Sequence, residues 1–162
     1  MASPEDRLQQ LEARVEHMEN VEAIRRLLAR YCKALDERDV AAMTPLWSRD
    51  AVVIARPWAL EFRGAQAIMS FYSEYFRGPW IEPRHNYTNE YIERDGDGYK
   101  AFCYFHETLA RDQHSVMGWG TWVDRFVRED GVWKFSRREI NVMALAPISR
   151  GWAGPDKIMD LS

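Results

Sequence analysis

From Pro83 onward the chain has little choice of secondary structure. Four long stretches rich in aromatic and β-branched residues, Arg84–Glu93, Tyr99–Asp112, Ser115–Arg128 and Val132–Ala146, follow one another with only short connections between them. Two of those connections, Asp95-Gly96-Asp97-Gly98 and Glu129-Asp130-Gly131, contain the Asp-Gly pair that reverses a strand within a few residues. Strands joined so tightly must be antiparallel neighbours, because a parallel partner needs a crossover of a dozen residues or more. The second half is therefore expected to be a four-stranded antiparallel meander.

The first half has a different period. Leu8, Leu11, Val15, Met18, Val21, Ile24, Leu28, Tyr31 and Leu35 recur at helical spacing, so Pro4 to Glu37 reads as one long helix or two in succession. The first four follow a heptad-like pattern that Glu22 ends, too short for a coiled coil on its own; the stripe is expected to pack on a neighbouring subunit or on the domain's own sheet. Asp39 fits the N-cap of a short helix from Val40 to Trp47. Ala51–Ala55 and Ala59–Arg63, around Arg56-Pro57, read as an irregular hairpin, and Ala65–Phe76 as a third helix closed by Gly78-Pro79. Helices first and strands afterwards predict an α+β fold, with a curved antiparallel sheet wrapped over helices. The expected organisation is a helical extension over 1–20, one domain over 21–150 and a tail over 151–162.

Composition narrows the function. At 162 residues there is room for one domain of ordinary size. No apolar run approaches the roughly 18 residues of a membrane span, and a net charge of −3 gives no basic excess for a phosphate backbone, so neither membrane nor nucleic acid is an expected partner. Met1 to Arg7 is polar and lacks the apolar stretch of a secretory signal, which makes the cytoplasm the expected location, with Cys32 and Cys103 as free thiols. Seven each of Trp, Tyr and Phe supply enough ring surface to line an apolar pocket as well as a core.

No phosphate-binding glycine loop, HExxH, CxxC or GxSxG is present. Of four histidines, His17 and His114 lie among polar residues, whereas His85 and His106 lie in strands, where each is either a base or a satisfied core histidine. Asp36 occupies the last turn of a helix, where the dipole disfavours negative charge, so another reason for its presence is expected. Glu107, Asp112, Asp124 and Arg125 read as solvated or cross-strand charges.

Tyr31-Cys32-Lys33-Ala34-Leu35-Asp36, then Trp47 and Asp50, Arg84-His85-Asn86-Tyr87-Thr88-Asn89, and Asp130-Gly131-Val132-Trp133-Lys134-Phe135-Ser136-Arg137-Arg138 together resemble the SnoaL-like branch of the nuclear transport factor 2-like superfamily. The resemblance runs from about Val15 to Pro147. Lyases of that family include hexachlorocyclohexane dehydrochlorinase, bile-acid 7α-dehydratase and scytalone dehydratase. The resemblance implies a cone with one apolar pocket, in which Asp36 pairs with His85. Tyr31, a polar residue near His106, and Arg138 or Arg137 would assist. Arg138 is expected on the strand face opposite Trp133 and Phe135. Trp47, Trp119 and Trp122 would shape the pocket, with Tyr104 and Asn141 as further substrate contacts.

The implied chemistry needs no metal or organic cofactor: His85, oriented by Asp36, takes a proton from carbon while hydroxide or halide leaves the adjacent carbon. The expected activity is that of a lyase on a hydrophobic cyclic small molecule, in a homo-oligomer of two or three chains. Alternatives are an isomerase or cyclase using the same pair, a noncatalytic β-type subunit of an aromatic-ring-hydroxylating dioxygenase, and a ligand-binding module.

Overall fold

A computed structural model describes residues 3–159. Helix α1 (Pro4–Asp36) is one uninterrupted helix, opened by a capping box in which Ser3 and Asp6 each satisfy the other's backbone N–H. Its C-terminal half buries Ile24, Leu27, Leu28, Tyr31 and Leu35, while Pro4 to Glu16 is exposed along its whole length. Arg38 takes a left-handed conformation (φ 55°) that stops the helix just past Asp36. Asp39 then caps α2 (Val40–Met43), its carboxylate accepting from the Ala42 N–H at 2.9 Å. This helix is shorter than the sequence predicts: Pro45 has no N–H to continue it, so Thr44–Leu46 is a single 3₁₀ turn and Trp47 already begins a strand.

The strands are β1 (Trp47–Arg56), β2 (Leu60–Arg63), β3 (Ile81–Asp95), β4 (Gly98–Arg111), β5 (His114–Glu129) and β6 (Val132–Pro147), with helix α3 (Ala65–Arg77) between β2 and β3. The expected hairpin and meander both form, but as parts of one six-stranded open sheet in the order β2-β1-β6-β5-β4-β3. Its β1–β6 junction is parallel, which makes the sheet mixed and not wholly antiparallel. The long connection between these two strands removes the turn constraint that forces the meander antiparallel.

Register breaks curve the sheet around α1 and α3. Ser136 is an extra residue where Phe126 pairs with Phe135 but Arg125 with Arg137, and Met143 is extra where Gly120 pairs with Val142 but Trp119 with Ala144. Gly120 makes the second bend passable, since a Cβ there would lie 2.0 Å from the Asn141 carbonyl oxygen. After β6 the chain folds back: Ile158 bridges to Leu145, and Trp58 Nε1 donates to the Met159 carbonyl at 3.2 Å. Among the described residues no helix is long and apolar enough to cross a membrane.

Candidate active site

The concave face of the sheet and the two long helices border a half-open cavity of about 70 Å³. Its wall is mostly apolar: Leu35 from α1, Phe71 from α3, Phe105 and Leu109 from β4, Trp122 from β5 and Ile140 from β6. Against that wall stand Tyr31, Tyr72, Tyr75, His85 and Glu107.

His85 lies near the start of β3, directly across from Asp36 at the end of α1. Both the ring and the backbone of His85 reach that carboxylate. Nδ1 lies 2.7 Å from Oδ1, and the backbone N–H donates to both oxygens at 3.0 and 3.2 Å. These donors account for a carboxylate at the disfavoured end of a helix. The other ring nitrogen, Nε2, lies 2.9 Å from Oε2 of Glu107. A carboxylate only accepts, so with both carboxylates ionised both ring nitrogens must carry protons and His85 is an imidazolium. Burial pulls the imidazole pKa down, but the hydrogen bonds and charges of Asp36 and Glu107 more than reverse this and raise it to about 9. Asp36 and Glu107 lie on opposite sides of the ring; Glu107 faces the cavity, whereas Asp36 borders a second, open cleft outside it.

Glu107 is the functional group that the sequence reading misplaces among solvated charges. Strand alternation is the signal that finds it. Cys103, Phe105 and Leu109 all point inward, so Glu107 falls on the same face. Gly118, its cross-strand partner, gives it space: a Cβ there would come within 2.6 Å of the Glu107 Oε1. The same alternation puts Tyr104 and His106 on the outer face, where both are exposed, and neither lines the cavity. Trp119 pairs with His106 on that outer side and packs edge-on against Trp152, and Asn141 pairs with Thr121, so these two also lie off the cavity wall.

Arg138 is not on the cavity wall either. The extra residue at Ser136 shifts the alternation, so Arg138 comes to the same side as Phe135 and not to the opposite one. It forms a fully buried two-pronged pair with Asp124, Nε to Oδ1 at 2.8 Å and Nη2 to Oδ2 at 2.7 Å. Asp124 too is therefore interior and not a surface charge. The guanidinium carbon lies 3.9 Å from the centre of the Tyr31 ring and 4.3 Å from those of Trp122 and Phe135, a cation held behind the aromatic wall. Burial opposes its charge, but Asp124 outweighs burial and moves its pKa up. Arg137 instead pairs with Glu139. Trp47 is buried in the core against Tyr72 and Phe135 and does not reach the cavity.

The tyrosines complete the site. The hydroxyls of Tyr31 and Tyr72 are 2.9 Å apart. Burial raises the pKa of Tyr31, and raises those of Tyr72 and Tyr75 well above the usual phenol value, so all three keep their protons as donors. Of the ten residues singled out from the sequence, Tyr31, His85 and Trp122 line the cavity, and Asp36 touches it only through His85. Among the described residues no group of three or more His, Cys, Asp or Glu is arranged to hold a metal ion.

Residues 16–139 match the family model described as SnoaL-like domain. Solved structures similar to the chain include a variant of Rv3472, described as a function unknown protein from Mycobacterium tuberculosis, at 24% identity over 81% of this chain and 76% of that one, with a TM-score of 0.71. A hexachlorocyclohexane dehydrochlorinase, LinA-type3 from Novosphingobium barchaimii LL02, is similar at 19% identity over 82% and 92%, with a TM-score of 0.73. An NTF2-like protein with a cystatin-like fold from Novosphingobium aromaticivorans is similar at 23% identity over 84% and 90%, with a TM-score of 0.66. No curated protein matches the sequence. At these identities the structures speak for the fold, and the family model covers most of the length; the chain belongs to the SnoaL-like domain family.

Proposed function

We propose that the protein is a cofactor-independent lyase that removes water or a hydrogen halide from a hydrophobic cyclic small molecule, with His85 as general base and Asp36 as its orienting partner. The observation that carries this reading is the His85 imidazole held at the wall of an apolar cavity with a carboxylate on each nitrogen. In the resting form Nε2 carries a proton and cannot accept another. Loss of that proton leaves Nε2 and Glu107 as two acceptors facing each other, which repel, so Glu107 swings aside and Nε2 opens to the cavity. Asp36 keeps the remaining proton on Nδ1 and stabilises the imidazolium that forms again when Nε2 takes hydrogen from carbon. The electrons of the broken C–H bond form the double bond, and the leaving group departs from the adjacent carbon with its own pair. A Tyr31, Tyr72 or Tyr75 hydroxyl hydrogen-bonds the departing group, and the proton taken onto Nε2 then leaves with it as water or hydrogen halide, restoring the neutral base.

A base with a pKa about 9 is stronger than an ordinary histidine but scarce at neutral pH. Turnover is therefore expected to climb about tenfold per pH unit below 9 and to level above it. The mostly apolar wall suits a hydrophobic ring. A dehydrochlorinase among the structures of like fold is consistent with this class.

The test is a panel of small ring compounds that carry hydroxyl or halide beside an acidic C–H, read by product mass. Loss of the mass of water or HX, abolished by His85→Ala and cut by orders of magnitude by Asp36→Asn, is the expected result. Product of unchanged mass would assign an isomerase to the same site. Undiminished activity in both variants would refute the mechanism.

A further inference from the structure

The first turns of α1, from Pro4 to Glu16, stand exposed along their whole length. Leu8, Leu11, Val15 and Met18 are 57%, 53%, 52% and 67% exposed and form a single stripe. The helix docks on the domain with a different face: His17 Nδ1 meets the Tyr99 hydroxyl at 2.8 Å, Trp133 Nε1 donates to Asn20 at 2.9 Å, and Ile24 is buried. At 3.6 residues per turn the stripe lies roughly 165° around the helix from that face. It points directly away from the domain.

We propose that this stripe pairs, parallel and in register, with the same stripe of a second copy of the chain. With Leu8 and Val15 at heptad position a and Leu11 and Met18 at d, Arg7 and Arg14 fall at g, and Glu12 and Glu19 at e. In a parallel pair each g residue faces the e residue five positions on in the partner. Arg7 thus meets Glu12 and Arg14 meets Glu19 of the other copy, on both flanks of the seam. In an antiparallel pair g faces g and e faces e, which sets arginine against arginine and glutamate against glutamate. The charges therefore choose both the partner and the direction. Among the described residues none of the four is ion-paired within the chain. The stripe ends where Glu22 and Arg25 take the next a and d positions and turn to local partners, Arg26 and Glu90.

An isolated helix this short is marginal in water, but this one is capped by Ser3 and continues into the buried half of α1, so its ordering does not depend on the partner. Because the docked face is opposite the stripe, a two-fold axis along the seam carries the two domains to the outer sides of the coil, clear of each other.

Sedimentation equilibrium of the full chain near 100 µM is expected to give the mass of two chains. Leu11→Glu with Val15→Glu should weaken association at least tenfold while leaving the circular dichroism and melting temperature of the domain unchanged, since both positions are exposed. Arg7→Glu with Arg14→Glu, and separately Glu12→Arg with Glu19→Arg, should each be monomeric alone and form a heterodimer when mixed. Leu8→Cys should oxidise to a covalent dimer, which parallel register allows and antiparallel pairing, with position 8 opposite 18, does not. A monomer at that concentration, a larger oligomer, a dimer that survives the stripe and charge variants, or failure of the Leu8→Cys variant to cross-link overturns the proposal.

Discussion

Glu107→Gln isolates what the second carboxylate does to His85. In the folded chain the imidazole pKa stands at about 9 against an ordinary 6.5, with burial working against the rise and the Asp36 and Glu107 carboxylates producing it. A difference of roughly 2.5 units, at 1.36 kcal/mol per unit, corresponds to about 3 kcal/mol of folding stability. The folded pKa is the higher one, so this stability is fully present below pH 6.5 and is lost as pH rises through 9. Replacing Glu107 by glutamine keeps the shape and removes one charge at hydrogen-bond distance, which lowers the His85 pKa by about 1–3 units. The pH range over which stability falls should then end that much earlier. Urea unfolding followed by fluorescence between pH 6 and 9 measures both curves. Keeping below pH 9 avoids the loss from Cys32 and Cys103, whose contribution begins at the ordinary thiol value. A wild-type curve flat from 6.5 to 9, or a Glu107→Gln curve superimposable on it, would show that Glu107 does not hold the imidazole.

Other substitutions follow from single contacts. Gly118→Ala puts a methyl 2.6 Å from the Glu107 Oε1, so it should displace that carboxylate, reproduce the Glu107→Gln shift in an NMR titration of His85, and cost about 1–3 kcal/mol; an unshifted midpoint would mean the sheet yields instead. Arg138→Met strands Asp124 in the interior and should cost about 3–5 kcal/mol by denaturant unfolding, most of it recovered when Asp124→Leu is added; no recovery would show that the aromatic cage and not the ion pair sets the cost. Burial pushes the Cys32 and Cys103 thiols up to about 12, so neither should react with a disulfide reagent at pH 8 until the protein unfolds, and rapid labelling of the native chain would contradict the packing.

The fold is readable in the sequence where local chemistry decides. Asp-Gly turns fix the β3–β4 and β5–β6 hairpins, and Asp39 signals its cap in one residue. The parallel β1–β6 pairing is not readable, since it joins residues far apart with no turn to announce it. In the site, Asp36 stands out because it opposes its helix end, and the resemblance supplies His85. Glu107 and Asp124 are legible in principle from alternation with Phe105 and Trp122, but a charge on an apolar face reads as an edge position until its partner is seen. Arg138 cannot be placed by alternation at all. The bulge at Ser136 inverts the parity of β6, and the sequence around it carries no mark of the extra residue. Tyr104, His106, Trp119 and Asn141 fall off the cavity wall for the complementary reason: strand order and curvature decide which face is concave.

Selective nitrogen-15 NMR of the His85 ring, recorded from pH 6 to 10, tests the central claim most directly, because it reads the protons on Nδ1 and Nε2 themselves. The expected spectrum at pH 7.5 is that of an imidazolium, both nitrogens protonated, with a midpoint at about 9. A neutral ring at that pH, with a single protonated nitrogen and a midpoint near 6.5, would contradict a base held between two carboxylates.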